Sequence, residues 1–164
     1  MADPIRIESG YAINVFARCI EMHATFYARA HGFGRAFETV VAGGLAEFSP
    51  RMDNPGNRLW YAVQADRIVG TLVIDGEDLG PGLAHLRWFI VDDQVRHTGI
   101  GKKLLAEALA FCDAREVEVH LWTFRGLDAA RHLYETHGFK LAEERPGNQW
   151  GEEVFEQRFF RKRA

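Results

Sequence analysis

Cysteine is scarce in this chain: Cys19 and Cys112 are the two among 164 residues. That is too few for a disulfide scaffold or a cysteine-rich metal site. No run approaches the ~18 consecutive apolar residues of a membrane span. The opening Met1-Ala2-Asp3-Pro4-Ile5-Arg6 has neither the basic start nor the apolar core of a signal peptide. These absences predict a cytoplasmic protein with no membrane partner. An excess of basic residues is missing too. Lys and Arg number 20 against 23 Asp and Glu, for a net charge of −3, which argues against nucleic acid as a partner. No internal repeat or low-complexity linker is present.

What is there is ordinary globular composition, 47% apolar and 26% charged. The length suits one domain over residues 1–164. A chain of this size buries roughly 70% of its unfolded surface and needs no staple.

Residues 4–8 alternate and predict a first strand. From Tyr11 to about Ala30, Ile13, Phe16, Ile20, Ala24 and Tyr27 recur at helical spacing. His31 to Gly34 breaks that helix. A second helix is predicted from Arg35 to Phe48, with Phe37, Val40, Val41 and Leu45 on one face. Leu59–Val63 and Ile68–Ile74 form a hairpin about a turn at Gln64–Arg67, and Leu83–Val91 reads as a third strand of this run. Gly99–Ala114 is an amphipathic helix, Val117–Trp122 a strand, and Asp128–His137 a short helix closed by Gly138. Phe139–Glu143 and Val154–Phe160 are the last two strands. This order predicts an α+β fold with a mixed, mostly antiparallel sheet.

The chemistry concentrates between Trp88 and Lys103. A strand ends near Val91, a loop follows, and a helix opens at Gly99. A helix N-terminus presents unpaired N–H groups and about half a positive charge, a geometry that binds phosphate. Gly99 and Gly101 let the backbone approach an anion closely. Arg96, His97, Lys102 and Lys103 surround the same spot. A Walker A loop is excluded, because Arg96 and Lys103 stand where it needs Gly and Ser or Thr. A dinucleotide fingerprint is excluded because Leu104 holds the place of its third Gly.

The remaining pattern, Arg96-x-x-Gly99-x-Gly101, resembles the acyl-CoA signature of the GNAT N-acetyltransferase superfamily. Ala130-Arg131-His132-Leu133-Tyr134-Glu135-Thr136-His137-Gly138-Phe139 is similar to that family's second signature, and Ile68-Val69-Gly70 to its hairpin. The resemblance covers about residues 5–160. Tyr27 to Phe33, Trp150 to Val154 and Glu156 to Phe159 are similar to GNAT domains fused behind MarR-type regulators. No winged-helix segment precedes the domain here, so the expectation is a stand-alone or excised version.

The resemblance implies a GNAT fold, with splayed parallel central strands flanked by helices, and acetyl-CoA as acyl donor, with no metal. It implies a bulged strand in which Phe89, Ile90 and Val91 pair with the pantetheine arm. Backbone amides among Arg96, His97, Thr98, Gly99, Ile100, Gly101 and Lys102 would hold the pyrophosphate. Tyr134 would donate the proton to the leaving thiolate. Leu127 stands where relatives often carry Asn, so it offers only backbone groups to the cofactor. A primary amine of a small-molecule or amino-acid-like acceptor would attack the thioester directly, in a ternary complex. Tyr27, Phe33 and His85 are the candidate acceptor-side residues, with Glu38, Glu47 and water as further candidates for the base. A homodimer is in keeping with the family. The alternative reading is a non-catalytic acyl-CoA sensor. His132 and His137 sit one residue too far apart for a zinc helix of the His-x-x-Glu-His kind.

Overall fold

The computed structural model describes residues 2–164; Met1, part of the N-terminal stretch read above, lies outside them. Arg58–Gln64 (β2) and Arg67–Asp75 (β3) form the expected hairpin. Ala65 and Asp66 close it, both at positive φ (46° and 62°). Two such residues give the turn whose twist matches paired strands. Leu83–Val91 (β4) pairs antiparallel with β3, and Arg6–Ser9 (β1) with β2. Glu118–Phe124 (β5) lies parallel to β4. Lys140–Gly147 (β6) and Val154–Arg161 (β7) complete a seven-stranded sheet in the order β1-β2-β3-β4-β5-β7-β6.

Helices cover both faces. Ile100–Ala114 (α3) lays Leu104, Leu105, Ala108 and Cys112, all fully buried, against Leu72, Ile74 and Leu121 of the sheet. Asp128–Thr136 (α4) joins the same core through Tyr134 and Leu133. On the other face, Val15–His31 (α1) and Arg35–Phe48 (α2) bury Val15, Met22 and Phe48 against Leu59 and Val73. The architecture is therefore α+β in three layers, as the apolar periods predict.

The boundaries differ in places. α1 begins at Val15 and not Tyr11, because Asn14 adopts a left-handed conformation (φ 72°) at its N-cap. Ile13 consequently stands outside the helix and is 80% exposed. β6 runs on to Gly147, past the expected end at Glu143. It is the sheet's edge, where Pro146 costs no ladder bond that faces solvent.

Candidate active site

β4 and β5 pair only through Leu83–Glu118, Ala84–Val119 and His85–His120. Beyond His85 the strands part. On the other side of β4, Thr71 faces Ile90 while Val73 faces Arg87, so three steps of β4 oppose two of β3. This bulge places Trp88 at φ 48°, and the Thr71 hydroxyl donates to the Trp88 carbonyl (2.9 Å). A bulge re-aims the strand, as bulges beside sites commonly do. The parted strands open a cleft of about 1160 Å³.

One half of the cleft is lined by β4, the glycine turn and α4. Phe89, Ile90, Val91, Arg96, His97, Gly99, Ile100, Gly101, Lys102, Leu127 and Tyr134 all contribute to its wall. Gly99 is the N-cap of α3 at φ 84°. The first amide bonded back into the turn is that of Lys103, to the Gly99 carbonyl (3.1 Å). The N–H groups of His97, Gly99, Ile100, Gly101 and Lys102 have no backbone acceptor among the described residues. Five free amides at the positive end of a 15-residue helix form an anion cradle. The Thr98 amide is spent on the Val95 carbonyl (3.3 Å), and its hydroxyl bonds there too, so Thr98 stays out of the wall.

Arg96 does not turn to the cradle. Its Nε donates to Asp93 (2.6 Å), and its guanidinium lies 4.3 Å from the Phe26 ring centre on α1. Its Nη2 is buried without a partner among the described residues. Leu127 caps α4 with its carbonyl, which accepts from the Arg131 amide (3.0 Å).

Tyr134 is buried against Phe139 and Phe159, yet it lines the cleft. Its hydroxyl has no hydrogen-bond partner among the described residues. Burial pushes this phenol well above the usual tyrosine range, and the nearby Tyr27 phenol adds to the shift. Tyr134 is therefore a neutral O–H donor throughout the physiological range.

The other half of the cleft lies under α1 and α2. Tyr27 and His85 line it. Burial pushes the Tyr27 phenol up to about 12, against an opposing effect of the Arg96 guanidinium. His85 Nδ1 donates to the Asp78 carboxylate (2.7 Å), and the Trp122 ring packs edge-on against the imidazole at 4.8 Å. Phe33 stands behind this wall and not in it, packed on Tyr27, Phe37 and Phe124. The break between the two helices drives its side chain inward, so Phe33 shapes the wall only through Tyr27 and Phe37. Glu38 is exposed and off the cleft, and Glu47 is held by Arg51 (2.8 Å).

Several wall residues were not foreseen. His23 is buried on the cleft, with Nδ1 2.7 Å from the Cys19 carbonyl. A carbonyl only accepts, so Nδ1 carries the proton and Nε2 is left as an acceptor. Burial lowers this imidazole to about 4, so it is neutral at pH 7. Cys19, His23, Tyr27 and His31 follow one another at every fourth position, and that ladder was readable as one polar-aromatic edge of α1. Trp88, Trp122, Phe124 and Trp150 also reach the wall, from elements that come together only in the fold. Among the described residues, no three His, Cys, Asp or Glu side chains gather as a metal site.

The split parallel pair, the bulge before a helix N-terminus and Tyr134 all belong to one cleft, an arrangement suited to an acyl-CoA-dependent transferase. Known proteins agree. Residues 24–152 match the acetyltransferase (GNAT) domain family. The fold resembles a GNAT-family acetyltransferase of Staphylococcus aureus Mu50, with TM-score 0.74, 21% identity, and 96% of this chain and 98% of that one covered. It also resembles the ribosomal-protein-alanine N-acetyltransferase of Brucella melitensis (TM-score 0.75, 16% identity, coverage 96% and 99%). A third neighbour is the yncA protein of Salmonella typhimurium with its cofactor acetyl-CoA (TM-score 0.75, 16% identity, coverage 98% and 94%). The chain belongs to the GNAT acetyltransferase family, whose acyl donor is acetyl-CoA.

Proposed function

We propose that the chain moves an acetyl group from acetyl-CoA to the primary amine of a small-molecule or amino-acid-like acceptor, by direct attack in a ternary complex. The observation that carries this reading is the row of five free amides, His97 and Gly99 to Lys102, set in one cleft with the unbonded Tyr134 hydroxyl. Acetyl-CoA supplies an activated thioester. The amides and the Lys102 side chain bind its pyrophosphate charge. The unpaired edge of β4 at Phe89–Val91 orients the pantetheine arm by strand-like bonding, and a β4 amide faces the thioester oxygen. The acceptor approaches from the half of the cleft under α1 and α2. Held there, it gains its rate mainly from orientation. Tyr134 gives its proton to the departing sulfur, and the nitrogen's proton passes to water or to His85.

The working location is the cytoplasm. Both cysteines are buried free thiols, in keeping with a reducing compartment. Among the described residues no helix is long and apolar enough to cross a membrane.

The test has two arms. Coenzyme A at about 100 times its Kd stabilises the fold by about 2.7 kcal/mol, read as a raised melting temperature, and ATP without the pantetheine arm does so far less. Thiol release from acetyl-CoA, followed over an amine panel, then separates enzyme from sensor. Tight coenzyme A binding with no thiol release on any amine would favour the sensor reading.

A further inference from the structure

The acceptor half of the cleft has a definite chemistry. Its wall is built of ring faces and edges: Tyr27 lies 4.9 Å from Phe37 and 5.8 Å from Phe124, and Phe124 lies 5.5 Å from Trp150 (ring centres). These rings are tilted by 51–56° to one another. They form a funnel of edges and faces, and tilted or edge-on packing is the arrangement in which a further ring is accepted well. Val40, 42% exposed, continues the apolar wall.

The charged side chains nearest these rings are Arg87 and, at the border with the cofactor half, Arg96, each paired with a carboxylate outside the wall. The Arg87 guanidinium lies 4.0 Å over Trp88 and that of Arg96 4.3 Å over Phe26. Among the described residues the acceptor half has no carboxylate in its wall; Asp128, the cleft's acidic residue, begins α4 on the cofactor half. A second ammonium on the acceptor would find no free carboxylate in this wall, because those behind it are already engaged, Asp75 and Asp78 by Arg87 and Asp93 by Arg96. The polar groups that remain are neutral acceptors, chiefly His23 with its lone pair on Nε2. Such an acceptor takes a hydrogen bond from an amine without needing a carboxylate.

We infer that the acceptor is an arylalkylamine, a single amino group on an aromatic body, and that the funnel selects it against polyamines and small polar amines. The inference rests on the transferase reading above. The ring lies among Tyr27, Phe124 and Trp150, and the amine points toward the parted strands. The nitrogen gains the acetyl carbon as the carbon–sulfur bond breaks. Its lost proton goes to water or to His85, and the thiolate regains one from Tyr134.

The experiment compares 2-phenylethylamine, spermidine and ethanolamine by thiol release from acetyl-CoA. The expected kcat/KM for 2-phenylethylamine is at least about tenfold above either of the others, the size of preference that ring contacts give. Trp150→Ala lowers that preference about tenfold while coenzyme A affinity is unchanged. Val40→Asp adds a carboxylate from a partly exposed position and shifts the preference toward spermidine. Equal or better turnover of spermidine or ethanolamine overturns the inference, as does a Trp150→Ala preference equal to wild type. Quenching of tryptophan fluorescence, titrated with each amine on protein saturated with coenzyme A, separates the two readings. Selective binding of 2-phenylethylamine without turnover of any amine sinks the transferase and keeps the acceptor class. No selective binding and no turnover sinks the class itself.

Discussion

Tyr134 enters the cleft with an unbonded hydroxyl, and its neighbours Phe139 and Phe159 hold the ring in place. Phe in its place keeps that packing and removes one proton. Tyr134→Phe is expected to lower kcat about 10²-fold, the lower end for a lost general acid, with coenzyme A affinity and melting temperature near wild type. Equal turnover at every pH would remove the role. His23 carries the clearest pH signature. Its folded value is depressed, so the folded state binds fewer protons than the unfolded chain. The neutral form's contribution is complete above the unfolded value near 6.5 and is lost as pH falls from there to about 4. The loss amounts to roughly 3 kcal/mol. Urea titrations at pH 7, 5 and 4 should show this decline, and His23→Gln should flatten it. The sequence pointed to Tyr134 through its Leu-Tyr-Glu stretch but gave no prominence to His23. A histidine on an apolar helix stripe looks like packing until the strand beneath it is known to be split.

Gly99 and Gly101 shape the turn that opens α3, and the two do different things. Gly99 sits at φ 84°, where an added Cβ meets nothing within 4 Å. Gly99→Ala therefore strains the backbone alone, by about 1 kcal/mol. Chemical denaturation should register that cost, and calorimetry should register weaker coenzyme A binding as the N-cap relaxes. At Gly101 φ is ordinary and a Cβ makes normal contacts with Val91 and Phe89. Gly101→Ala is expected to leave stability within about 0.5 kcal/mol of wild type. Helices α2 and α3 were legible to within a residue, since their apolar stripes are long and uninterrupted. The start of α1 was not, because the left-handed Asn14 ends the helix in a way periodicity does not register. The bulge at Trp88 was unreadable from composition: it depends on how β3 and β4 register, which is a long-range property. Gly44 shows the same dependence, since a Cβ there would sit 2.7 Å from the Trp88 indole.

Elements far apart in the chain are tied by one buried carboxylate. Asp75 on β3 is fully buried and accepts from Arg51 after α2 (3.0 and 2.8 Å), from Arg87 on β4 (3.4 Å) and from the Glu77 and Asp78 amides. Burial alone would raise its carboxyl, but the bonds from Arg51 and from those amides outweigh it, and the net direction is down. A depressed carboxyl stabilises above its unfolded value and loses that contribution as pH falls through the acid range. Asp75→Asn removes a charge shared by two guanidinium groups that keep Glu47, Glu77 and Asp78 as partners, and is expected to cost about 1–3 kcal/mol, measured by denaturant unfolding at pH 7. The same network holds Arg87 against Trp88, so it fixes the floor of the cleft as well as the fold. A net charge of −3 gave no hint of an anion-binding centre. Local fields around α3 decide that, not the total. The aromatic funnel was equally hidden, because its rings come from α1, α2, β5 and the turn before β7.

The parting of β4 from β5 after His85 has a kinetic consequence for the free protein. Those β4 amides that look into the gap have no strand partner, although they lie between two well-packed layers. They should exchange their hydrogens with solvent deuterium much faster than the amides of the same strand that face β3. Saturation with coenzyme A should slow the first set and leave the second unchanged. A single strand would thus report, on its two edges, separately on the stability of the fold and the occupancy of its site.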